Sequence, residues 1–328
     1  MKKLQVPYNL DRKVLSVYTA WSEYIAEIYF MAPREVFGSA RQYQNYPSYN
    51  EYLEEIKIIC FTCNNHNMNS MMLLNGNDNI DTDTVDKIIE LLNTCSKWNL
   101  TGVIVANPVL GEIIHKYFPD LKIRYSILSL ESTLGKIKEI EKLGYIKEIC
   151  LPQDVNRNED FLIKLKQECP DMNFSTIVNV SCRSNCPLFF WHQTFYSSSN
   201  KNGLFSLNSH DWRNAQLNMT NKFTDNNLCV PVILPSELEY YDKYFHQFKL
   251  EDRLSSTETL ESFITYYALE VNPTYMNNIA NSVCTKYDNN QINISKFPED
   301  WIIHRRNCKN ECWKCNYCDN IIKDILEE

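Results

Sequence analysis

Ile25-Ala26-Glu27-Ile28-Tyr29-Phe30 opens an alternation that runs to Leu269: a short apolar or β-branched run, then a longer segment with apolar residues at helical spacing. Runs of the first kind are the signature of buried strands, and segments of the second kind of amphipathic helices. After residues 25–30, strands are expected at 66–74, 102–106, 122–128, 147–151, 173–180, 228–232 and 245–250. Helices are expected at 49–59, 83–98, 109–117, 132–143, 158–168, 235–244 and 257–269. Local signals mark several ends. Asp81 or Asp83 suits the N-cap of the helix that carries Ile88, Leu91, Leu92 and Cys95 on one face. Gly144 suits a C′ position, and Pro235 the first turn of a helix. Eight strands alternating with helices predict an α/β fold, a (β/α)8 TIM-like barrel of about 250 residues. A doubly wound open sheet is the alternative. In either fold the reactive groups gather at the carboxyl ends of the strands.

The pattern changes after residue 271, which divides a barrel at 1–271 from a tail at 272–328. Residues 272–293 are polar and weakly patterned, the mark of a linker. The tail then carries Cys308, Cys312, Cys315 and Cys318, spaced C-x3-C-x2-C-x2-C, before a short closing helix. Lys+Arg number 33 against 41 Asp+Glu, a net charge of −8. That balance opposes general binding of a phosphate backbone, which needs a basic face, and leaves room only for a local basic pocket. The opening Met1-Lys2-Lys3 leads into polar sequence with no apolar signal core, and no run approaches the roughly 18 apolar residues of a membrane span. A cytoplasmic, reducing setting with no membrane contact is the expectation. There, 13 cysteines point to metal more than to disulfides.

Four thiolates within the tail can wrap one compact inorganic centre. Closely spaced cysteines suit an iron–sulfur cubane, and zinc, which usually takes two separated knuckles, is the alternative for the tail. The first three tail cysteines also spell the C-x3-C-x2-C of radical S-adenosylmethionine enzymes. Their position at the end of the chain argues against that role, because the motif normally follows a first barrel strand. A second constellation, Ser181-Cys182-Arg183-Ser184-Asn185-Cys186-Pro187 with Trp191-His192-Gln193, follows the strand at 173–180. Cys182 and Cys186 can reach one metal from that loop, and Cys229, just before Val230, can complete the set. His192 is a candidate ligand or proton donor. Burial beside Leu188-Phe189-Phe190 is the plainer reading of these cysteines. Cys60, Cys63, Cys95, Cys150 and Cys169 read as core or surface thiols.

Several motifs resemble those of the collagenase-like peptidase family U32. Ala26-Glu27-Ile28-Tyr29-Phe30 followed by Gly38-Ser39-Ala40-Arg41 is similar to the family's opening strand and its G-A-R-like turn. Residues Gly102 to Asn107 and Tyr117-Phe118-Pro119-Asp120-Leu121-Lys122-Ile123 resemble its central strands. Phe248-Lys249-Leu250-Glu251-Asp252-Arg253 resembles its late F-K-I-E-G-R strand, with Asp252 where Gly is usual. The cysteine loop is C-x3-C here, against a commoner C-x6-C. The resemblance spans about residues 24–270 and implies a barrel. It also implies [4Fe-4S] chemistry, with one or two clusters: some members are described as peptidases, and others take part in oxygen-independent hydroxylation of RNA bases or quinone precursors.

The functional expectation is an iron–sulfur-dependent modifying enzyme acting on a small molecule, a peptide or RNA. Cys182, Cys186 and Cys229 would hold a cluster at the barrel mouth. Lys249, Glu251 and Arg253 alternate onto one face, where the two cations could bind an anionic group, Arg253 in bidentate fashion. An internal salt bridge is the plainer account of that trio. Arg41 would lie next to them in a closed barrel. A peptidase is the first rival. The chain has no H-E-x-x-H or G-x-S-x-G motif, which leaves a Cys182–His192 pair as the conceivable nucleophile. A non-catalytic, cluster-carrying subunit of a hetero- or homodimer is the second.

Overall fold

The computed structural model describes residues 3–39, 46–76, 80–180, 182, 184–190, 231–280, 292–308, 311 and 314–327. Eight parallel strands close into a barrel in sequence order. They are β1 (Leu4–Pro7), β2 (Ile25–Met31), β3 (Asn69–Leu74), β4 (Gly102–Val105), β5 (Lys122–Tyr125), β6 (Ile146–Leu151), β7 (Asn173–Ile177) and β8 (Gln247–Lys249). The ring shuts where β1 meets β8, with Leu4 opposite Phe248 and Gln5 opposite Lys249. Closure removes the open-sheet alternative.

Helices α1 (Lys13–Ala20), α2 (Tyr49–Asn65), α3 (Thr82–Ser96), α4 (Pro108–Tyr117), α5 (Leu134–Glu141) and α6 (Glu159–Glu168) each follow the strand of the same number. A short α7 (Leu238–Tyr241) precedes β8, and α8 (Thr257–Ala268) follows it. Asp81 caps α3 by accepting from the Thr84 amide at 2.9 Å, and Pro108 starts α4 behind an Asn107 cap. Gly144 takes the left-handed conformation, φ 76°, after α5. At Gly102 a Cβ would stand 2.3 Å from the Lys122 carbonyl oxygen, so only glycine lets β4 and β5 approach there.

Two strand expectations need correction. Leu4–Pro7 is the first barrel strand, although its four residues carry only one β-branched side chain. Its pairing on both edges supplies what local propensity lacks. Residues 231–234, at the end of the strand expected over 228–232, are not in a strand, and 228–230 lie outside the described residues. The barrel closes without them: the Val178 and Phe174 carbonyls accept from Ile233 and His246 instead.

The strand faces divide two environments. Outward residues such as Ile28, Phe30, Met72, Val103, Ile149 and Phe248 form one apolar core with the helices. Inward, Tyr29, Met31, Met71, Leu73 and Ile104 make a separate cluster. Below it, toward the amino ends of the strands, the interior is polar. Arg124 forks onto both oxygens of Glu27 and reaches Glu148 at 2.8 Å, while Gln5 bonds Gln247 at 2.8 Å and Glu148 at 3.1 Å. Burial opposes charge on Arg124, but Glu148 and Glu27 outweigh it and hold the guanidinium protonated.

The chain after α8 packs on the same core. Tyr275 and Asn293 form an antiparallel bridge, and Met276, Ile279, Ala280 and Ile292, from the stretch expected as a linker, are buried. Helix α9 (Trp301–Arg306) buries Trp301 and stacks the Arg305 guanidinium over its ring at 4.2 Å. Arg305 donates to the Val232 carbonyl at 2.6 Å. Helix α10 (Tyr317–Glu327) adds Ile321, Ile322 and Ile325. No described helix is long and apolar enough to cross a membrane.

Candidate active site at the barrel mouth

A cavity of about 660 Å3, part of it open to solvent, sits at the carboxyl ends of the strands. Its walls come from the ends of β2, β3, β5, β6, β7 and β8, so residues far apart in sequence meet there.

The last wall is the most polar. After β8, the Leu250 amide donates to the Gln5 carbonyl, and the Tyr29 hydroxyl donates to the Leu250 carbonyl at 2.6 Å. Asn179 then holds Glu251 at two points, accepting from its amide at 2.7 Å and donating to its carbonyl at 3.3 Å. Asp252 turns the chain at φ 85°. The turn brings Arg253 back over the mouth, where its guanidinium donates to the Ser39 hydroxyl at 3.0 Å. Ser39 donates to the Asn75 side chain at 3.4 Å, and Asn75 donates to the Ser126 hydroxyl at 3.1 Å. This chain of bonds ties the loop after β2 to the ends of β3, β5 and β8.

Lys249, the last residue of β8, is buried in this wall. It is 7% exposed, and its ammonium nitrogen stands 4.2 Å from the centre of the Tyr29 ring. Its ammonium group has no hydrogen bond or ion pair among the described residues. Burial lowers its pKa, and the neighbouring charges of Arg124 and Arg253 push the same way against Cys150 and Glu27. The Cys150 thiol is itself pushed up by burial, so it stays protonated and gives Lys249 no anion to pair with. Gln153, just beyond β6, is 2% exposed, lines the cavity, and has a side-chain oxygen with no hydrogen-bond partner among the described residues.

Lys249, Glu251, Arg253 and Cys182 share one cavity, but not through strand alternation: β8 ends at Lys249, and the turn at Asp252 brings Arg253 back to it. No ion pair between described residues joins Lys249, Glu251 and Arg253. Cys186 is half-buried on the same loop and does not line the cavity. Arg41, His192, Cys229 and Cys312 lie outside the described residues. Cys308 and Cys318 are half-buried and Cys315 is exposed, and none of the three lines the cavity. Cys60, Cys63, Cys95, Cys150 and Cys169 are buried. Tyr29, Ser39, Asn75 and Gln153 are site residues that the sequence did not single out. Signals were available for two of them: Tyr29 lies two positions beyond Glu27 and so on the same strand face, and Ser39 sits in the family-like turn two residues before Arg41.

A [4Fe-4S] cluster takes four ligands, normally thiolates. The described residues offer Cys182 and Cys186 at this loop, and no group of three potential metal ligands comes together among them. These residues alone do not complete a cluster site.

No curated protein matches the chain. Among solved structures it is similar to the U32 peptidase Mk0906, with 18% identity, a TM-score of 0.51, and coverage of 62% of this chain and 78% of that one. It is also similar to a thiamine phosphate pyrophosphorylase from Pyrococcus furiosus, with 16% identity, a TM-score of 0.35, and coverage of 55% and 76%. The first likeness agrees with the barrel seen here. The family model of peptidase family U32 matches residues 15–185, just over half of the chain from α1 to the cysteine loop, and the protein belongs to that family.

Proposed function

We propose that this protein is an enzyme acting on a small molecule, or the end of a peptide, that carries an acidic group. The observation behind this reading is Lys249: a buried lysine in the wall of an open cavity, with no carboxylate partner among the described residues. A buried ammonium ordinarily has a paired anion, because leaving it unpaired costs several kcal/mol. Here the nearby carboxylates Glu27 and Glu148 are committed to Arg124. A substrate acid supplies the missing charge. Arg253 extends the cationic surface toward the mouth, with a planar fork that matches a carboxylate. Apolar walls from Leu73, Ile127, Leu128, Ile177 and Phe189 lower the local dielectric and strengthen such a pair. Calorimetric titration of small carboxylates, pyruvate and succinate among them, tests the reading. Arg253→Gln should weaken binding about tenfold, in keeping with loss of a charge-assisted bond. Equal binding by both proteins would remove the reading.

A second reading is favoured by Cys182, which faces the same cavity. In it, Cys182 and Cys186, with Cys229, hold an iron–sulfur centre beside the substrate, as the family resemblance implies. The centre would supply electron transfer, while Lys249 and Arg253 keep their binding role. Iron and sulfide analysis of anaerobically prepared protein checks this. Both elements should fall together in the Cys182→Ala, Cys186→Ala double variant, and an iron-free wild type would exclude it.

A further inference from the structure

We infer that Lys249 captures a carbonyl: its amine condenses with the aldehyde or ketone of an oxo-acid whose acidic group Arg253 holds. This rests on the reading of the cavity as an acid-binding site. Three observations support it. Lys249 is nine-tenths buried and lines the cavity, so a molecule in the cavity is what reaches its nitrogen. It has no hydrogen-bonding or ion-pairing group among the described residues to hold the proton on that nitrogen. Its nitrogen stands over the face of Tyr29, which is fixed by its bond to the Leu250 carbonyl. The depressed pKa described above adds that more of the amine is neutral than in an exposed lysine, which is the condition for nucleophilic attack.

The step balances without an oxidant or reductant. The nitrogen lone pair forms a C–N bond to the carbonyl carbon, the C=O π pair moves to oxygen, and a proton passes from nitrogen to that oxygen. The carbinolamine then loses its hydroxyl as water, with one added proton, and the nitrogen lone pair closes the C=N bond. Glu251, a carboxyl group in the cavity wall, is placed to carry the proton. Ser39, Asn75 and Gln153 offer polar groups along the remaining wall, and the unpartnered Gln153 side-chain oxygen can accept from a substrate hydroxyl.

The test uses the full chain with pyruvate or glyoxylate and borohydride, which reduces an imine to a stable secondary amine, followed by peptide mapping. The expected result is one dominant adduct, on Lys249, absent from Lys249→Arg. In Arg253→Gln, half-maximal trapping should need about tenfold more oxo-acid. Acetone, which lacks the acid, should trap poorly in both proteins. Adducts spread over exposed lysines with Lys249 unmodified would overturn the proposal, and the wild-type map gives that answer even if a variant fails to fold. Arg253-dependent pyruvate binding without a Lys249 adduct would refute carbonyl capture and leave acid binding standing. Loss of any Arg253 dependence in binding would refute both.

Discussion

Asp252 shows how one residue aims another. Its φ of 85° is a conformation that glycine adopts freely and other residues adopt at a cost of about 1 kcal/mol or more. The family's late-strand pattern carries Gly at this place. Here the aspartate partly offsets the strain through its own turn: its carboxylate accepts from the Ser255 hydroxyl at 2.7 Å, and its carbonyl from the Ser255 amide at 3.0 Å. Comparing two substitutions separates strain from bonding. Asp252→Gly and Asp252→Ala both lose the carboxylate, but only glycine relaxes the backbone. The glycine variant should therefore be more stable than the alanine variant by about 1 kcal/mol in denaturant titration. Equal stabilities would show that the turn stores no strain. At this scale the sequence marked Lys249, Glu251 and Arg253 as one group, but through a strand alternation that stops at Lys249. It did not show Ser39, Asn75 or Gln153, which reach the cavity from loops whose course depends on tertiary contacts.

Glu159, the first residue of α6, joins that helix to the segment before β8. Its carboxylate accepts from the Tyr240 and Tyr244 hydroxyls, both at 2.5 Å, and from Lys243 at 3.2 Å. The tyrosine bonds chiefly hold its pKa down to about 2, against an ordinary 4.5. A carboxyl group whose folded pKa is depressed stabilises the fold above its unfolded pKa, and loses that contribution as pH falls through the folded value. Glu159→Gln should therefore lower stability at neutral pH, by an amount reduced because the side chain is partly exposed. The gap between wild type and variant should narrow as pH falls from about 4.5 toward about 2. Urea midpoints measured across that window check the sign, and a gap that widens in acid would contradict it. Among the elements, β2 to β6 were legible because their outward faces carry Val, Ile, Met and Phe under helices. β1 was not, because four residues between two partners need little propensity of their own. Short strands also ended sooner than their apolar runs: β5 stops at Tyr125 although Ile127 and Leu128 continue the pattern, because those two line the cavity wall.

The whole barrel was legible from its rhythm, although the strand at residues 4–7 was not foreseen and Pro231 and Val232, expected to end a strand, are in none. The interior was less legible. Strand runs such as Ile25–Met31 and Ile146–Leu151 read as apolar core; the first is buried throughout and the second at every position but Lys147 and Glu148, yet Glu27 and Glu148 within them face a polar layer. Only closure of the ring, which sets β5 against β2 across the axis, explains why those carboxylates tolerate burial. That layer has a consequence for traffic. Gln5, Glu27, Arg124, Glu148 and Gln247 occupy the far end of the barrel, while the cavity opens at the other, so Lys249 stands at the end of a blind passage. Two reactants used there form a queue: the one meeting Lys249 enters first and leaves last, and whatever arrives second shuts the door behind it.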